Sequence, residues 1–137
     1  MTRKEAKREL RPIKEMDSEI RSIELEIERL MAVATKMTAN YDANKVSGSA
    51  KNKMEEAVVK IEEYRGKLSK MLLKSLDYRN MCLNKIEKIE TPSLRKILLL
   101  YYFQDMTIEQ TAEAIDRSTR WTYEMYASAL DEYSKFM

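Results

Sequence analysis

The sequence predicts an all-α protein: an N-terminal antiparallel helical hairpin of coiled-coil type over residues 1–90, then a C-terminal three-helix, helix-turn-helix module over residues 91–137. Three observations predict it. Only two Gly and two Pro occur in 137 residues while 35% are charged, so turn formers are scarce and solvated helix faces are well supplied. Apolar residues from Ile13 to Met37 alternate at steps of three and four, and a second such row starts near Ala57. After Thr91-Pro92 the pattern divides into three short helical runs.

Residues 1–11 form a basic lead, with Arg3, Lys4, Lys7, Arg8 and Arg11 against Glu5 and Glu9. It is expected to be a solvated or frayed helix end; the sharper alternative is an arm that touches phosphates. The first long helix places Ile13, Ile20, Ile27 and Ala34 at heptad position a, and Met16, Ile23, Leu30 and Met37 at d. Its flanks are acidic, with Asp17 and Glu24 at e and Glu19 and Glu26 at g. Two parallel copies would set acid against acid, so a basic partner helix is expected. The polar, aperiodic stretch at 40–52 reads as a loop.

The second long helix supplies that partner. Ile61, Leu68, Ser75 and Cys82 fit a, while Ala57, Tyr64, Met71 and Tyr78 fit d. Lys60, Lys67 and Lys74 then fall at g, and Arg65 and Arg79 at e. In an antiparallel pair g meets g and e meets e, so the charges select partner and direction. Val58, Leu72 and Leu76 are expected to widen the apolar face. The helical spacing continues through Leu83, Ile86 and Ile89, and no Gly, Ser or Pro linker precedes Thr91, so the helix should run almost to Pro92.

In the C-terminal module, Pro92 suits a first helical turn, and Leu94, Ile97, Leu98, Tyr101 and Tyr102 share one helical face. A break is expected near Gln104-Asp105. Thr107 and Gln110 have capping-box spacing, with Ile108, Ala112 and Ile115 facing inward behind them. Ala112 is small enough for close helix approach. After Asp116-Arg117, Ser118 can cap a third helix from Thr119 to about Leu130, whose apolar spacing extends to Tyr133 and Phe136. Trp121 is expected to pack beneath that helix.

A short helix, a tight turn and a longer helix form the arrangement in which the second helix can enter a DNA major groove. Arg117, Ser118, Thr119, Arg120, Tyr123 and Glu124 lie at the start of that helix and carry groups able to bond phosphates or base edges. The run Ile108-x-x-x-Ala112, then Ser118-x-Arg120-Trp121-x-Tyr123 and Ala129-Leu130, resembles region 4 of bacterial sigma-70 factors. It is closer still to small phage regulators with a region-4-like end, the ArpU/RinA-like late-gene activators. The resemblance covers about a third of the chain. It implies double-stranded DNA binding and control of phage or prophage transcription, with Thr119, Arg120, Tyr123 and Glu124 facing DNA. Asp116 stands where the pattern usually has Gly, and Thr122 where it usually has an apolar core residue.

The charge of residues 91–137, five basic against seven acidic, lacks the usual basic footprint of a lone DNA-binding domain. A homodimer, or help from elsewhere in the chain, is therefore expected. Other chemistry is narrowed by absences. Without His there are no imidazole ligands or triads, one Cys builds no zinc site, and two Gly form no phosphate-cradling loop. The reading is therefore no enzyme, no catalytic residues, no metal and no cofactor. The single Cys82 fits a reducing bacterial cytoplasm, and no membrane span or apolar signal core is present in the sequence. Two alternatives remain: a helical adaptor that binds a host protein such as RNA polymerase, and a small terminase-like DNA-packaging subunit.

Overall fold

A computed structural model describes the backbone of residues 2–44 and 48–137, and the side chains of residues 2–36 and 52–137. Among these residues the protein is all-helical and has no strand. Helices α1 (Arg3–Asn44) and α2 (Gly48–Glu87) are long; α3 (Pro92–Leu98), a π-helical turn (Leu99–Phe103), α4 (Ile108–Ala114) and α5 (Thr119–Ser134) follow. Of the loop expected at 40–52, helix covers residues up to Asn44 and from Gly48, and 45–47 lie outside the described residues.

The N-terminal lead is not a frayed end. Helix α1 starts at Arg3 behind a reciprocal pair: Thr2 N–H donates to Glu5 Oε2 at 3.3 Å, and Glu5 N–H donates to Thr2 Oγ1 at 3.2 Å. This is a capping box, and it removes two orphan donors from the helix end. Ala6, Leu10 and Ile13 are fully buried, so the apolar row begins a heptad earlier than Ile13. The helix runs through Pro12, which has no N–H to offer the Arg8 carbonyl.

The chain forms two compact units, one of residues 1–16 with 75–137 and one of residues 17–74. These boundaries differ from the change of sequence motif at 90/91. In the 17–74 unit, Ile27, Leu30 and Ile61 are buried together, with Ile23, Tyr64 and Leu68 packed around them. Ala57 is buried as well. All seven are expected a or d positions. Val58, Leu72 and Leu76, expected to widen the apolar face of α2, are instead exposed, at 50%, 46% and 54%. A seam between two helices covers only a narrow stripe of each, so apolar groups beside the a and d rows remain in solvent.

In the other unit, Ala6, Leu10 and Ile13 of α1 join Cys82, Ile86 and Ile89 in one core with Leu94, Ile97, Leu98 and Tyr102. Tyr126, Ala129, Leu130 and Tyr133 of α5 complete it. Helix α3 packs on α5, and α5 on α4. Tyr78 donates its hydroxyl to the Glu9 carbonyl, and Lys85 Nζ lies 2.6 Å from Glu9 Oε1. Helix α2 stops at Glu87, short of Pro92, and Arg95 takes up the free carbonyls that follow. Its guanidinium donates to Ile89 O and, at 3.1 Å, to Glu90 O.

The expected break near Gln104 is reached through the π turn, in which Gln104 N–H donates to Leu99 O at 3.1 Å. Asp105 then takes φ 52, the left-handed region that Asp tolerates better than most residues, and reverses the chain into α4.

Candidate nucleic-acid interface

The turn between α4 and α5 follows from local chemistry. Thr107 and Gln110 form the expected capping box: Thr107 N–H donates to Gln110 Oε1 at 2.9 Å and Gln110 N–H to Thr107 Oγ1 at 3.1 Å. Ala112 is buried where α4 meets α5, while Ile108 and Ile115 are half-buried. Thr111 is also fully buried; its hydroxyl donates to Thr107 O at 2.8 Å, so no polar group is left open. Asp116 adopts φ 55, and Arg117 N–H returns to Ala112 O at 3.0 Å, closing the end of α4. An Asp here does the work of the Gly that the resemblance expects.

Ser118 caps α5, its Oγ accepting from Trp121 N–H at 3.1 Å. Thr122 occupies the position where an apolar residue was expected and is fully buried. Its hydroxyl donates to Ser118 O at 2.9 Å, which satisfies the polar atom inside its own helix and leaves the methyl for the core. Helix α5 continues to Ser134, past the Leu130 expected from sequence.

All six sequence-derived site residues are exposed: Arg117, Ser118, Thr119, Arg120, Tyr123 and Glu124. Arg117 lies over the Trp121 ring, 5.0 Å from its centroid, a cation–π contact that fixes the guanidinium beside the helix start. Trp121 is half-buried and packs against the core. Arg120, Tyr123 and Glu124 share a face by their spacing of three and four. The Arg120 side chain is 92% exposed, and its Nε is 3.6 Å from Glu124 Oε1. So loose and exposed a pair restrains Arg120 little.

Sequence reasoning missed two neighbours of Arg117. Ser93 and Lys96 of α3 join Ile115, Arg117 and Trp121 around a cavity of about 250 Å³. The packing of α3 on α5 brings Lys96 to Arg117, and no spacing rule spans the gap between them. The charge deficit of residues 91–137 is also offset within the compact unit. Residues 1–16, part of the same unit, contribute six basic against three acidic side chains.

Cys82 is buried, and burial pushes its thiol above the ordinary range, which keeps it protonated and unreactive. Among the described residues, no three His, Cys, Asp or Glu side chains gather as metal ligands, and no helix is long and apolar enough to cross a membrane. Compared with known proteins, the chain matches no family model, no curated protein and no solved structure.

Proposed function

We propose that the protein is a sequence-specific DNA-binding transcription regulator that reads double-stranded DNA with α5, in a helix-turn-helix made of α4 and α5. One observation carries this reading: a short helix, a turn closed through left-handed Asp116, and a Ser118-capped helix whose first two turns bury Thr122 and Tyr126 on one side and leave Thr119, Arg120, Tyr123 and Glu124 exposed on the other. A core helix of this size would bury that surface. Arg120 is free to reach a base edge, most favourably the paired acceptors of guanine. Arg117 and Lys96 sit where phosphates would approach the α5 N-terminus. Phage or prophage regulation, in the bacterial cytoplasm, rests on the resemblance to region-4-like regulators alone.

The rest of the chain has a supporting role in this reading. Ile23, Ile27 and Leu30 with Ile61, Tyr64 and Leu68 are the residues that an antiparallel hairpin would pair. Leu72 and Leu73 are exposed near that seam, the latter at 65%, and provide apolar surface for a homodimer. Two-fold symmetry would double the DNA contacts of a weakly basic module. Sedimentation at tens of micromolar checks this, and a strict monomer would remove the dimer. The specific observation that favours the adaptor alternative is the acid excess of residues 91–137. In that case the same face of α5 would dock a protein such as RNA polymerase.

The decisive experiment is a binding titration on promoter-proximal DNA of the source genome, across a salt series. Arg120→Ala should weaken the preferred site by about 1–3 kcal/mol and flatten its sequence preference. Arg117→Ala should weaken all sequences alike and reduce the salt slope by about one. Unchanged binding in both variants would transfer this face to a protein partner.

A further inference from the structure

A second cavity, of about 260 Å³, lies elsewhere in the same compact unit. One wall is basic: Lys7, Arg11 and Lys14, spaced four and three along α1, share a helix face. The rest of the lining is mostly aromatic, formed by Tyr101 and Tyr102 of the π turn, Ile108 of α4, and Tyr123 and Tyr126 of α5. No carboxylate lines the cavity. Lys14 is engaged nearby, with its Nζ 3.8 Å from the Tyr101 ring centroid, 3.6 Å from Asp105 Oδ1 and 3.2 Å from Met106 O. Lys7 reaches only the Tyr126 ring, at 5.9 Å, and among the described residues no acid pairs with Lys7 or Arg11. Cations gathered on one wall repel one another, and an anion between them reverses that sign.

Two of the lining tyrosines hydrogen-bond each other. Tyr102 and Tyr126 are buried, and their hydroxyl oxygens are 2.6 Å apart. Burial raises both hydroxyls above their ordinary range, so both keep their protons. One hydrogen bond uses one of the two protons, and the other has no acceptor among the described residues. At the rim, Tyr123 is 59% exposed and offers a flat ring to solvent. Cations and a hydroxyl proton select an oxyanion; an exposed aromatic ring selects a planar ring.

We propose that this cavity binds a nucleotide, with its phosphate against Lys7, Arg11 and the spare tyrosine proton and its base stacked on Tyr123. The site shares Tyr123 with the duplex-reading face, but its anion contacts lie on α1, so it does not depend on that reading. The nucleotide can come from two sources, a free mononucleotide or one residue of a single strand, and the chemistry of recognition is the same.

The test is calorimetric titration of the full-length protein at low salt with thymidine monophosphate, a short oligothymidylate and inorganic phosphate. A nucleotide ligand should bind at least about tenfold tighter than inorganic phosphate, because stacking adds to the anion contacts. The Lys7→Ala/Arg11→Ala double variant should lose about tenfold or more for every anion. Tyr123→Leu should weaken the nucleotide and leave phosphate unchanged. Circular dichroism confirms that both variants remain folded. Tighter binding of the oligomer assigns the site to a single strand; equal affinity assigns it to a free nucleotide. No binding, a nucleotide no tighter than phosphate, or wild-type affinity in both variants overturns the proposal.

Discussion

The two compact units are built from the same pair of long helices, yet they bury very different cores. Among the described residues, the core cluster of the 17–74 unit is Ile27, Leu30 and Ile61, along one seam. The core cluster of the unit of residues 1–16 and 75–137 holds fourteen among the described residues, drawn from α1, α2 and the turn after it, α3, the π turn and α5. A heptad row is the most regular signal in the sequence but has only one partner helix to bury against. Where further helices pack on the same two rods, Leu10, Ile13 and Ile86 become fully buried. Regularity of pattern therefore says where a helix has a face, while the number of elements on that face decides how much stability it yields.

The sharpest way to break this comparison is to remove one isoleucine from each unit. Ile97→Ala, at a fully buried site, should cost about 4 kcal/mol, while Ile61→Ala, on the seam, should cost about 2 kcal/mol, the upper part and the lower end of the usual range for such truncations. Urea unfolding of each variant checks it. A larger loss at Ile61 would mean that the long seam, rather than the multi-helix core, holds the fold.

Alkaline pH should act on the multi-helix unit. Tyr78, Tyr102, Tyr126 and Tyr133 all belong to the multi-helix unit, and burial raises each hydroxyl above its ordinary value, Tyr78 to about 12. A raised folded-state value means that stability is complete below the unfolded value near 10 and declines as pH rises through the folded value. Melting temperature should thus hold from neutral pH to about pH 9 and fall above 10. With no His in the chain, no imidazole transition is expected between pH 5 and 8. A steep loss of stability within that neutral window would contradict this account.

A smaller effect sharpens the picture of the core. Tyr133 is fully buried, with Cys82 and Glu9 nearby, yet among the described residues no group is placed to hydrogen-bond its hydroxyl or Glu9 Oε2 with good geometry. A buried hydroxyl without a partner is a desolvation cost, so Tyr133→Phe should be neutral or stabilising by up to about 1 kcal/mol. Destabilisation of that size would show that the hydroxyl does bond Glu9 in solution.

What the sequence made legible follows physical range. Caps were readable because each is settled within four residues: Thr107 with Gln110, Ser118 with its helix, and the left-handed Asp116. The a and d rows were readable because period alone selects them. Thr2 and Glu5 had the same capping spacing, but the charge of the basic lead masked it. The burial of Ala6 and Leu10 was not readable, since it depends on helices that return more than seventy residues later. Tyr123 and Arg120 were placed on the outer face by helical spacing, whereas Lys96 beside Arg117 and the tyrosines beside Lys7 and Arg11 depend on tertiary packing.

The smallest expected effect tests the direction of the seam itself. The acidic flanks of α1 and basic flanks of α2 should meet if the two run antiparallel. Glu26 gives partial support. Its carboxyl is held below the ordinary value first by the Arg29 hydrogen bond, with Lys60 of α2 adding a weaker attraction. Competition within each helix dilutes the cross-helix term: Arg29 Nη2 is 2.6 Å from Glu26 Oε1, and Arg65 Nη1 is 3.6 Å from Glu62 Oε1. Changing Glu19, Glu24 and Glu26 to Lys should therefore lower the melting temperature only modestly, partly through the lost Arg29 pair. Changing Lys60, Arg65 and Lys67 to Glu in the same protein should recover the cross-helix share of that loss and leave the Arg29 share unrecovered. The recovery should shrink as salt is added, because these charges are exposed. A sixfold variant no more stable than the threefold one at low salt would rule out this antiparallel register and leave the apolar row without its directional partner.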